Sequence, residues 1–221
     1  MTDTREPLHR TPAEVAEDEE FFRWYGPWAP LDPDGLVDFM AGFDRPWWIV
    51  GGWSIEAFTG IAREHEDVDL SLLACDLSAF REHVGDRWHL WSIHGGTLRP
   101  FNDRHPEVLD VRSQVWVRRS AADPWVIDLP VTPDSDGQWT SKRDPEHVAP
   151  VSDVTWIDGK GVRYLRPEIT LLYKAVLHRP KDDRDLAVTW PLLGPAEQEW
   201  LREAVGRLYP GHGWLDGTMR A

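Results

Sequence analysis

A single cysteine, Cys75, occurs in 221 residues, so the chain can form neither an intramolecular disulfide framework nor a cysteine-built zinc ribbon. No run of about 18 apolar residues exists, which excludes a membrane-spanning helix. Residues 1–20 are acidic and polar, without the basic, apolar and small-residue regions of a signal peptide. A cytoplasmic location is the expectation. Basic side chains are also scarce: 24 Lys and Arg stand against 38 Asp and Glu, a net charge of −14. That balance argues against nucleic acid as a partner, because phosphate contacts need a basic surface. It suits a cationic small molecule, although acidic surfaces also serve solubility alone. The 14 Trp outnumber the 7 Phe and 4 Tyr. Trp serves cores and sugar or base stacking alike, so the count does not choose between them.

Hydrophobic residues at 41% and charged residues at 28% are ordinary for a globular chain, and this length accommodates one domain or two small lobes. Thr11-Pro12-Ala13-Glu14 reads as a helix start, with Val15, Phe21 and Phe22 turned towards the body before Gly26-Pro27. Asp32-Pro33 caps a second helix to about Gly42, presenting Leu36, Phe39 and Met40. The apolar run 47–50 is a buried strand that ends in a tight turn at Gly51-Gly52. A short helix over 54–59 follows, closed by Gly60, and then a strand over 68–73. Between 88 and 143 short runs separated by turn residues (88–93, 108–117, 125–131 and 138–142) predict a β-meander. After Pro167 the period is helical, with Ile169, Leu172, Tyr173, Val176 and Leu177 on one face. Trp200, Leu201, Ala204, Val205 and Leu208 form a second such face. The expected architecture is α+β: a mixed β-sheet lobe over 1–165 and a helical lobe over 166–221.

The most informative stretch joins Gly51-Gly52-Trp53-Ser54 to Glu64-His65-Glu66-Asp67-Val68-Asp69-Leu70. Strand side chains alternate faces, so Asp67 and Asp69 share one face while Val68 and Leu70 turn to the core. Two carboxylates about 7 Å apart on one strand face suit a hard divalent cation, Mg²⁺ above all. The glycine turn lacks Cβ atoms and leads into a helix N-terminus, where free N–H groups favour phosphate. A phosphate cradle combined with a carboxylate pair is the equipment of metal-assisted phosphoryl or nucleotidyl transfer. Each piece alone also has a bland reading, as a solvated strand face or an ordinary turn. The chain has no Walker-type loop, dinucleotide glycine fingerprint, zinc-protease helix or nucleophile elbow. Thr132-x-Asp134-x-Asp136-Gly137 imitates a calcium loop, but its twelfth position is Arg143 instead of Glu.

The string GGWSIEAFTGIAREHEDVDL resembles the nucleotide-binding signature of the aminoglycoside 2″-nucleotidyltransferases and their lincosamide-modifying relatives, within the polymerase-beta-like nucleotidyltransferase superfamily. Gly51, Gly52, Trp53, Gly60, Arg63, His65, Asp67 and Asp69 carry the match. Tyr164-Leu165-x-Pro167-Glu168, Lys174 and the run from Arg179 to Asp185 resemble a downstream helical segment of the same enzymes. Glu56 and Glu66 depart from the pattern, standing where Asp is commoner. The resemblance implies transfer of a nucleoside monophosphate, AMP from ATP, to a hydroxyl of a small cationic acceptor such as an aminoglycoside. It implies two Mg²⁺ ions held by Asp67, Asp69 and a third carboxylate that doubles as general base. Two acids on later strands fit that role. Asp128, between Ile127 and Leu129, has the cleaner alternation, and Asp110 is its competitor. Gly51, Gly52, Trp53 and Ser54 would hold the triphosphate, with Arg63 and His65 positioning the loop or touching phosphate. Lys174 stands between a triphosphate contact and a snorkelling lysine at a core edge. The competing reading of the chain is a non-catalytic nucleotide- or sugar-binding module, of regulatory or antitoxin type, on the same fold.

Overall fold

Asp32 opens the second helix as its sequence predicts, accepting the Gly35 N–H at 2.8 Å, with Pro33 in the first turn. The computed structural model describes residues 12–106 and 113–219. The expected Thr11 cap and the strand candidate Asp110 lie outside the described residues. Along the chain run α1 (Pro12–Tyr25), α2 (Pro33–Phe39), β1 (Trp47–Ile49), α3 (Gly51–Thr59), β2 (Leu70–Leu72) and α4 (Leu77–Val84). Next come β3 (His89–His94), β4 (Thr97–Pro100), β5 (Gln114–Arg118) and β6 (Trp125–Pro130). The remainder comprises β7 (Asp134–Ser135), β8 (Gln138–Thr140), β9 (Val148–Ala149), α5 (Val151–Val154), β10 (Thr155–Ile157) and β11 (Arg163–Leu165). Helices α6 (Pro167–Ala175), α7 (Pro180–Thr189), α8 (Pro195–Leu208) and α9 (Gly213–Asp216) follow. No helix among the described residues is long and apolar enough to cross a membrane.

The chain divides into two compact units, one of residues 1–47 and 62–133, the other of 48–61 and 134–221. This differs from the boundary expected at 165. The reason is α3, which packs on α6 and α7 and places Ile55 among Leu171, Leu172, Leu186, Leu201 and Val205. A helix early in sequence thus joins the core of the C-terminal helices.

In the first unit, four antiparallel strands lie in the order β4-β3-β5-β6. The meander is therefore present, with one hairpin that the sequence reading missed. His94 pairs with Thr97 across Gly95-Gly96, and both glycines have positive φ, 54° and 76°. That is the signature of a two-residue primed turn, and the Gly-Gly pair is its signal in the sequence. The 138–142 run instead supplies β8 to a small sheet of order β7-β8-β9 in the second unit. Val68, Leu70, Leu72, Phe80, Val115, Val117, Ile127 and Leu129 fill the first unit's core. Helix α1 meets the sheet through Phe21, whose ring lies 5.6 Å from that of Trp116. Val15 and Phe22, expected to face the body, are exposed. Residues 21 and 25 form the contacting stripe at i, i+4, and Phe22 lies about 100° round the helix from Phe21.

In the second unit β1 runs parallel to β11, with Ile49 opposite Tyr164, and β10 pairs antiparallel to β11. Ile169 and Leu172 are buried, as their spacing predicts. Val176 and Leu177, assigned to the same face, are exposed, because α6 ends at Ala175.

Candidate active site

Strand alternation builds the carboxylate group. Val68 and Leu70 are fully buried in the first unit's core, which turns Asp67 and Asp69 to the opposite, half-buried face. Asp69 forms a parallel bridge with Asp128, and the Asp128 N–H donates to the Val68 carbonyl at 3.1 Å. Ile127 and Leu129 anchor β6 on either side of Asp128, which is 7% exposed. Asp67, Asp69 and Asp128 consequently each offer a carboxylate oxygen within 4.8 Å of the others. Gln114 Nε2 donates to Asp128 Oδ2 at 3.1 Å and orients that carboxylate. The sequence reading missed Gln114. Its signal was the register: in the strand Gln114-Val115-Trp116-Val117, the Gln shares a face with Trp116, the residue paired with Asp128.

These residues fit a divalent cation. All three donors are hard oxygens, the ligand type that Mg²⁺ and Ca²⁺ take. Oxygens on one octahedral Mg²⁺ lie at most about 4.2 Å apart, so the separation asks for a small side-chain closure or for two ions sharing the group. Electrostatics favours a countercharge as well. Like charges less than 5 Å apart repel by roughly 3 kcal/mol per pair at an effective dielectric near 20.

The other residues singled out from the sequence are placed as follows. Arg63 and His65 are half-buried on the segment leading to Asp67, and Arg63 Nη1 donates to the Glu64 carbonyl at 2.9 Å. Gly51, Gly52, Trp53 and Ser54 belong to the second unit and form the first turn of α3, which starts three residues earlier than expected. Gly51 has φ +70°, a conformation that L side chains resist. Trp53 and Ser54 are buried. The Ser54 hydroxyl donates to the Gly51 carbonyl at 3.0 Å and lies 2.9 Å from Thr170 Oγ1. The Trp53 and Ser54 side chains thus turn inward, away from any ligand that would meet this helix start. Lys174, also in the second unit, holds its Nζ 2.8 Å from Asp185 and 3.3 Å from Asp182. Its ammonium is buried among aspartates instead of reaching water from a core edge. Asp182 is further bound by Arg179 at 2.9 Å. Burial pushes the Asp182 carboxyl up, yet the Arg179 hydrogen bonds and the Lys174 charge hold it below the ordinary carboxylate range.

The aminoglycoside-2''-adenylyltransferase family model matches residues 35–85, a stretch that contains Gly51, Gly52, Asp67 and Asp69. No curated protein matches the chain. Among solved structures, the chain is similar to the solution structure of the antibiotic-resistance factor ANT(2'')-Ia. Identity is 18% and the TM-score 0.52, over 80% of this chain and 90% of that one. It is likewise similar to the crystal structure of ANT(2'')-Ia in complex with adenylyl-2''-tobramycin, at 18% identity and TM-score 0.51, over 79% and 94% of the two chains. At that identity the structural likeness is one of fold. The resemblance read from the sequence is borne out over residues 35–85 by the family match, and the α+β fold is shared with ANT(2'')-Ia.

Proposed function

We propose that this protein is a cytoplasmic, magnesium-dependent nucleotidyltransferase that moves AMP from ATP to a hydroxyl of an aminoglycoside, and so confers resistance to it. The observation that carries the reading is the carboxylate group of Asp67, Asp69 and Asp128. The family match around it and the shared fold support the same chemistry. In the reaction, the acceptor oxygen attacks the α-phosphorus of ATP. The bond to pyrophosphate breaks, and the hydroxyl proton passes to Asp128, which Gln114 orients. Asp67, Asp69 and Asp128 would hold the divalent cations, which would supply countercharge to the triphosphate and lower the pKa of the acceptor hydroxyl. The family resemblance assigns the triphosphate to the Gly51-Gly52 turn, where backbone N–H groups at the N-terminus of α3 would suit phosphate oxygens. The ion pairs of Lys174 favour a structural role within α6 and α7 over a phosphate contact. All three carboxylates are present, and nothing observed favours a non-catalytic module.

Thermal melts and pyrophosphate release test this together. Mg-ATP at about 100 times its dissociation constant adds about 2.7 kcal/mol to a protein that binds it, and Asp67→Asn is expected to remove that gain without unfolding the chain. Asp128→Asn is expected to keep most of the gain while losing roughly 100-fold or more in turnover with an aminoglycoside acceptor. An Asp67→Asn protein with the full Mg-ATP shift would sink the metal-site reading.

A further inference from the structure

The Ser54 hydroxyl has two partners, and their chemistry settles where its proton goes. The Gly51 carbonyl oxygen, 3.0 Å away, can only accept, so Ser54 spends its one proton there. Thr170 Oγ1, 2.9 Å away on α6, must then be the donor to Ser54. A directed chain results, from Thr170 to Ser54 to the Gly51 carbonyl, spanning 116 positions of sequence between its two side chains. Ser54 is 0% and Thr170 1% exposed, so water does not compete with it.

The Gly51 carbonyl and the Gly52 N–H belong to one planar peptide and point in opposite directions. Fixing the carbonyl therefore fixes the N–H. Gly51 is the first residue of α3, so its carbonyl also takes the helix's own bond from four residues on. The Ser54 hydroxyl adds a second restraint to a peptide that no side chain at either glycine holds. The Gly52 N–H is also among the donors that a helix start leaves without intrahelical partners. We propose that Thr170 is a positioning residue for phosphate: through Ser54 it locks the Gly51–Gly52 peptide so that the Gly52 N–H points outward from α3, ready for a triphosphate oxygen. This rests on the nucleotidyltransferase reading given above. Thr170 touches no substrate and acts only through the relay.

The test is calorimetric measurement of the Mg-ATP dissociation constant for the full chain. Thr170→Val removes the donor at nearly constant shape and is expected to weaken Mg-ATP binding about 3- to 10-fold, the scale of one hydrogen bond. Thr170→Ser restores the donor and is expected to stay within about 2-fold of wild type. Ser54→Ala breaks the relay from the other helix, where Ala is well tolerated, and keeps the test alive if Thr170→Val fails to fold. On the Ser54→Ala background, Thr170→Val should add nothing further to the loss of affinity, because both act on one carbonyl. A purely structural Thr170 would lower the melting temperature and leave the dissociation constant where it was. Wild-type affinity in both Thr170→Val and Ser54→Ala overturns the relay and leaves the enzyme reading intact. A wild-type protein that binds no Mg-ATP overturns both.

Discussion

Glu168 illustrates how one buried acid ties the stability of this protein to pH. It occupies the first turn of α6 and is buried, with Arg166 Nη1 at 3.7 Å. Burial pushes its carboxyl above the ordinary range, outweighing its own backbone N–H and the Arg166 charge, which pull it down. A raised folded-state pKa means that folding favours the neutral acid. The associated stability is complete below the unfolded value of 4.5 and is lost as pH rises through the folded value. Glu168→Gln mimics the neutral form at every pH, so its melting temperature relative to wild type is expected to be higher at pH 7 than at pH 4. Asp182 shifts the opposite way and loses its contribution in acid, but it is common to both proteins and cancels from the difference. Melts at the two pH values check this, and a variant whose difference from wild type is the same at both would refute it. The residue scale is also where sequence reading succeeded and failed most cleanly. Asp67, Asp69 and Asp128 were legible because strand alternation is a two-residue rule. Gln114 and Thr170 were not, because each matters only through a partner on another element.

Helices α3 and α8 give the same substitution opposite outcomes. Gly51 heads α3 with φ +70°, where an Ala side chain meets the steric penalty of the left-handed region, about 1–2 kcal/mol. Gly51→Ala is therefore expected to lower the melting temperature by roughly 2–8 °C for a chain of this size. Gly206 lies inside α8 without positive φ, and a Cβ there would meet only Leu215 Cδ1 at 4.0 Å. Gly206→Ala removes backbone freedom from the unfolded chain at no steric cost, and is expected to stabilise by roughly 0.5–1 kcal/mol. Chemical denaturation of both variants checks the pair. Equal signs would show that the α3 turn is not held in the left-handed region.

For the whole molecule, net charge is the property with the longest reach. Of the charge of −14, bound Mg²⁺ would neutralise only the contribution of Asp67, Asp69 and Asp128, and Glu17, Glu19 and Glu20 on α1 are exposed acids of the first unit. A surface of one sign attracts oppositely charged ligands and raises association rates by about 10-fold or more at low salt. For a polycationic aminoglycoside, kcat/KM is expected to fall by about 10-fold between roughly 20 and 300 mM salt, as the screening length shrinks from tens of ångströms to several. An uncharged acceptor analogue should show little slope. Steady-state kinetics across that range decides it, and a flat profile for the aminoglycoside would remove the cationic-acceptor claim alone.

What the sequence determined by itself is local. Composition set the class, Asp32-Pro33 set a helix start, and alternation along 67–70 and 127–129 set which carboxylates turn away from the core. These follow from period, capping and excluded volume, which act over a few residues. Only the tertiary structure decided what required distant segments to meet. It brought Asp128 beside Asp69 across neighbouring strands and within reach of Asp67. It placed α3 with the C-terminal helices, since burying Ile55 requires an apolar partner that the neighbouring sequence does not supply. It also drew Lys174 inward to Asp182 and Asp185, because a charge buried with its countercharges is tolerated where an isolated one is not.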